Sequence, residues 1–113
     1  MGPALDPAYL RNMEETLLDI GPGLFHEVLG VFLAEVPPRL DGLVGAEDRT
    51  IRRAAHSIRG AAASVGAARL ARLCGEIDDA PDGADVRRLL PGIANEMARV
   101  VNAVREVLRD AAA

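Results

Sequence analysis

A chain of 113 residues, half of them apolar but only 3% aromatic and without tryptophan, can build one core from Ala, Leu, Val and Ile and is too short for two. Its formal net charge of −4 argues against nonspecific nucleic-acid binding, its single cysteine excludes an intramolecular disulfide, and neither a signal-peptide pattern nor an apolar run of transmembrane length is present. The expectation is one cytoplasmic domain over residues 1–113, with neither nucleic acid nor membrane as partner.

Asp6 and Pro7 read as N-cap and first helical residue, and Tyr9, Leu10, Met13, Leu17 and Leu18 follow at helical spacing until Gly21-Pro22-Gly23 stops a short first helix. A second helix begins near Gly23, with Leu24, Phe25, Val28, Leu29, Phe32 and Val36 on one face; the pattern lets it continue, kinked, past Pro37-Pro38 to Leu43. Residues 45–48 form a loop with Asp48 as N-cap of a third helix, whose core stripe is Ile51, Ala54, Ala55, Ile58, Ala62 and Val65. Gly66 can take a positive φ and reverse the chain into a fourth helix bearing Leu70, Leu73, Cys74 and Ile77. After a turn at 79–83, apolar residues from Leu89 to Leu108 recur in near-heptad order, with a bend or restart expected at Pro91-Gly92. No segment alternates with period two. Short connections favour antiparallel neighbours, so the fold class is all-α: an antiparallel four-helix bundle with an additional short N-terminal helix.

The charge is segregated. Residues 49–75 hold six arginines (Arg49, Arg52, Arg53, Arg59, Arg69, Arg72) and no acid. With Ile51 at zero on a wheel of about 100° per residue, the apolar stripe stays within about 40° of zero, while His56 falls near 140° and Gly60 near 180°. His56 therefore faces solvent on the arginine side. Gly60, at i+4, leaves open the space beside the imidazole, at a cost of about 1 kcal/mol of helix propensity relative to alanine. Arg59, at i+3, brings a fixed cation that can stabilise an anion on or near the ring. A neutral imidazole is nucleophilic near pH 7 because its ordinary pKa is about 6.5. Histidine, clearing and cation together describe a phosphoryl acceptor. His26 also has a glycine at i+4, Gly30, but Leu29 stands where a cation would be needed, so it reads as a helix-edge residue. Cys74 reads as a small buried hydrophobe, and Met13 and Met97 as core fillers.

His56, Arg59, Gly60, Gly66, Leu70, Cys74, Ile77 and Asp78, spread over 23 residues of a helical hairpin, resemble the signature of histidine-containing phosphotransfer (HPt) domains of bacterial two-component phosphorelays. That signature is His-x-x-Lys-Gly, a glycine at the turn, then Leu, Cys and Leu-Glu. The resemblance implies that His56 is phosphorylated, that Arg59 takes the place of the family's lysine, and that Gly60 gives the partner access. Arg52, Arg53 and Ala63 would lie on the partner-binding face. Two positions depart from the pattern: arginine replaces lysine at 59, and aspartate replaces glutamate at 78. The implied partners are response-regulator receiver domains, with a hybrid histidine kinase upstream, and each receiver brings its own Mg²⁺. No cofactor or metal of the chain's own is implied. The chain carries no Gly-rich nucleotide loop, so it would be a phosphocarrier rather than an autonomous enzyme. Two rivals share the exposed face: an HPt-like adaptor that docks receivers without phosphorylation, and the dimerisation region of a histidine kinase. The first has no use for histidine, clearing and cation together. The second pairs helices from two chains, whereas this chain has enough apolar helices to close its own bundle as a monomer. A metal-carboxylate bundle is excluded by the lack of any Glu-x-x-His pair.

Overall fold

The computed structural model describes residues 2–112. It contains helices α1 (Pro7–Ile20), α2 (Leu24–Glu35), α3 (Asp48–Ser64), α4 (Ala68–Asp79) and α5 (Gly83–Ala112), with a 3-10 turn (Pro37–Leu40) between α2 and α3 and no strand among the described residues. The 30-residue α5 matches the 45 Å long axis of the molecule at about 1.5 Å per residue, so it serves as the spine. Helices α3 and α4 form the most closely packed pair, α4 and α2 also pack on α5, and α1 packs mainly on α2.

The core follows the predicted stripes. Leu29, Ile51, Ile58, Leu70, Ile77, Ile93, Val100 and Val104 are fully buried, each worth about 1.5–3 kcal/mol of transfer free energy. Val86 joins them from the start of α5. The α3–α4 reversal is a Schellman turn: the Ala67 N–H donates to Ala62 O over 2.9 Å and the Gly66 N–H to Ala63 O over 3.3 Å, with Gly66 at φ +77°. A Cβ at Gly66 would meet the Tyr9 ring at 2.8 Å. The start of α1 is tied to that turn, because the Asp6 N–H donates to Gly66 O at 2.9 Å and the Tyr9 hydroxyl to Ser64 O at 3.2 Å.

Four local expectations change. With 14 residues, α1 is longer than the 12-residue α2 and α4, though none of its side chains is fully buried. Helix α2 stops at Glu35 rather than running kinked to Leu43: the Pro37-Pro38 pair lacks N–H donors, and the chain tightens into the 3-10 turn. The N-cap of α3 is Glu47, while Asp48 is the first helical residue, its carboxylate accepting from Arg52 Nε over 3.1 Å instead of capping the helix. Finally, α5 neither stops nor restarts at Pro91, which is exposed; the proline removes one ladder donor, and buried anchors on both sides, Val86 and Ile93, hold the helix through it.

One buried charge had no signal in the apolar pattern. Glu96 is 3% exposed; its Oε1 accepts from Arg99 at 2.8 Å and faces Arg69 Nε at 3.4 Å, and Arg99 also donates to Gly2 O at 2.6 Å. The carboxylate thus links α5, α4 and the N-terminal segment. Burying it is tolerable only because cations meet it.

Candidate functional site

The amphipathic α3 turns Ile51, Ala55, Ile58 and Ala62 inward and carries His56 outward, where 79% of the imidazole side chain is exposed. A Cβ built on Gly60 would find nothing within 4 Å, so the predicted clearing exists, and the exposed Ala63 extends it along the helix. Arg59 and His56 both approach α4 at one atom. Arg59 NH1 lies 3.3 Å and His56 Nδ1 3.8 Å from the same oxygen, Asp78 Oδ2. The acid that stands in place of the family's glutamate is therefore the third member of the cluster.

The longer arginine side chain has its own bed. Gly75, buried on α4, lies under the guanidinium, and a Cβ there would come to 3.3 Å from Arg59 Cζ and 3.5 Å from Nε. The glycine in "LCGEID" carries no signal in the apolar pattern, where it lies two residues before Ile77, and the packing of Arg59 over it accounts for it. Beneath this pair, burial pushes the Cys74 thiol up to about 11, with Asp78 adding to the rise and Arg59 opposing it. A neutral thiol there is a packing group.

The arginine field is thinner than the sequence suggests. Three of the six cations are met by acids from outside the segment: Arg52 by Asp48, Arg59 by Asp78 and Arg69 by Glu96. Arg52 departs most from its expected place on the partner face. Its side chain is 28% exposed, and besides Asp48 it donates from NH1 to Ile77 O and from NH2 to Ala80 O, each at 2.8 Å, capping the carbonyl end of α4. It staples α3 to α4. Arg53 is exposed and takes part in none of the ion pairs among the described residues. Arg52→Ala should accordingly lower the unfolding free energy by about 1–2 kcal/mol, discounted for partial exposure, and Arg53→Ala by less than about 0.5. Urea titration of the two variants checks this; equal losses would remove the staple.

His26 lies on α2, half-buried, with its ring edge-on to Phe25 at a centroid distance of 5.5 Å, and shares nothing with the His56 cluster. Among the described residues no three His, Cys, Asp or Glu side chains are grouped as a metal site.

An outward histidine on a helical hairpin, beside a glycine clearing and a cation, defines a phosphotransfer bundle. The chain belongs to the Hpt domain family, whose sequence profile matches residues 27–106. It is similar over 97% of its length to 95% of histidine-containing phosphotransfer protein B (HptB) from Pseudomonas aeruginosa PAO1, at 25% identity and a TM-score of 0.69. No curated protein matches it significantly. The chain's role is histidine phosphotransfer in a phosphorelay.

Proposed function

We propose that His56 is the phosphoacceptor, taking a phosphoryl group from the aspartyl phosphate of one receiver domain and delivering it to the aspartate of another. The observation that carries this reading is the exposed imidazole beside the unfilled position at Gly60, with Arg59 and Asp78 sharing its α4 edge. Asp78 Oδ2 lies 3.8 Å from Nδ1, on the side of the ring away from Nε2, which is left open to the partner as the attacking nitrogen. Nε2 attacks phosphorus, the N–P bond forms, and the bond from phosphorus to the receiver carboxylate breaks with its electrons returning to that carboxylate. The ring gains positive charge in this step, and Asp78 faces the nitrogen that carries it. Arg59 has a short swing from Asp78 to the phosphoryl oxygens, where its planar fork can make two parallel contacts. Reversal onto a second receiver uses the same groups.

In this reading the whole chain is one cytoplasmic domain that works as a monomer, a hybrid histidine kinase supplies the first receiver, and Arg59, Gly60, Arg53 and Ala63 face the partner. No single helix among the described residues is long and apolar enough to cross a membrane. The decisive experiment mixes the purified protein with a panel of receivers carrying labelled aspartyl phosphate. Acid-labile label should move to the protein, and light scattering at micromolar concentration should give a monomeric mass. A panel that transfers nothing, or a dimer that alone accepts label, overturns the reading.

A further inference from the structure

Arg39 stands outside the basic segment in sequence, 18 residues before Ser57, yet the 3-10 turn after α2 delivers its guanidinium onto the outer face of α3. NH1 donates to Ser57 Oγ at 2.9 Å and to Ser57 O at 3.3 Å. Both acceptors are neutral, and none of the ion pairs among the described residues includes Arg39. Arg39 is therefore held without a direct ion pair, though Glu35 lines the same groove, while Arg59 is paired with Asp78.

The position of that charge follows from helix spacing. Gly60 is i+4 from His56 and i+3 from Ser57, so the missing side chain clears the ground between the imidazole and the hydroxyl that holds Arg39. The clearing is thus bordered by Arg59 on the α4 side and by Arg39 on the α2 side. Beyond Arg39 the surface becomes a shallow groove between α2 and α3, floored by Phe32 and Val65 and edged by Val31, which is 49% exposed. A body seated over His56 meets a cation on each flank and an apolar strip beyond one of them.

We propose that Arg39 is a second docking cation of the phosphoacceptor face, held ready by Ser57 to engage the acidic rim of the receiver, and that it helps determine which receivers the chain accepts. This rests on the phosphocarrier reading above. The partner chemistry follows from charge: a phosphorylation pocket built from carboxylates presents an acidic rim, and complementary fields raise encounter rates and select partners. Arg39 acts on the docked receiver and not through the ring, since Ser57 points about 100° around the helix from His56.

The test uses the full chain and two phosphoryl donors, phosphoramidate and purified receivers charged with acetyl phosphate. For each variant the rate of His56 labelling by receiver is divided by the rate with phosphoramidate, from low to high salt. Arg39→Gln should lower this ratio about tenfold at low salt and flatten its salt dependence, Arg39→Lys should recover most of the loss, and Ser57→Ala should give a smaller drop by releasing the side chain. A ratio unchanged in Arg39→Gln, or lowered equally at every salt concentration and not rescued by lysine, overturns the inference and leaves the phosphocarrier reading standing. A wild-type protein labelled by neither donor overturns that reading, and the inference with it.

Discussion

His56→Gln should abolish acid-labile phosphoryl labelling, by receivers and by phosphoramidate alike, and leave the thermal midpoint and helical content as they were. The two halves of this expectation have separate physical causes. Labelling is lost because glutamine has no basic ring nitrogen, and an amide is not a nucleophile at neutral pH. Stability is kept because the imidazole is 79% exposed and its one polar neighbour, Asp78, remains paired with Arg59; surface changes of this kind stay within about 0.5 kcal/mol. His26 should not inherit the label. It is half-buried, with Leu29 where His56 has Arg59, so neither approach nor charge favours a phosphoryl group there. Phosphoamino-acid analysis of the labelled variant, with circular dichroism beside it, decides the matter. Label that survives, or moves to His26, removes His56 from its role.

The direction in which His56 points was legible because one stripe, Ile51 to Val65, is so regular that every other position on α3 is fixed by rotation. The glycine at 66 was equally legible, since reversing two packed helices within three residues demands a positive φ. The partners of the arginines were not. Asp48 lies four residues from Arg52, as Asp78 does from Cys74, but the carbonyls of Ile77 and Ala80 that complete the Arg52 staple lie 25 and 28 residues away and come near only when α3 and α4 pack. A count of charges along the chain therefore groups Arg52 with the exposed arginines and gives no sign of Arg39, which reaches Ser57 on the outer face of α3 from beyond a proline pair. Pro91 does not restart α5 as a local rule allows, because apolar anchors on either side of it offset one missing hydrogen bond. Glu96 shows the reverse difficulty, for a single acid in an apolar stripe looks like an exposed edge until Arg69 from α4 is seen to meet it beside Arg99 of its own helix.

Gly60→Leu should leave the protein folded and reduce receiver-driven labelling by at least about 100-fold, the scale on which small misplacements of reacting groups act. Nothing lies within 4 Å of a Cβ at this position, so the backbone can accept a side chain without strain, and replacing glycine in a helix interior gains up to about 1 kcal/mol. The obstruction comes from direction. A leucine on a helix leans toward the N-terminus, over the residues three and four places earlier, and these are Ser57 and His56. The isobutyl group would cover the ground between the imidazole and Arg39, and a receiver aspartyl phosphate could no longer come within bonding distance of Nε2. Gly60→Ala separates the two effects: its single methyl takes most of the gain in helix propensity and leaves most of the clearing, so its melting temperature should rise by about 4–8 °C per kcal/mol gained while transfer falls only a few-fold. Melting curves and single-turnover transfer measured on the three proteins should therefore part company: the wild type is the least stable and the fastest, the alanine variant the most stable and slightly slower, and the leucine variant the slowest although more stable than the wild type. A leucine variant that folds and transfers at the wild-type rate would mean that the receiver does not approach across position 60, and the access route to His56 would have to be sought on the Arg59 side.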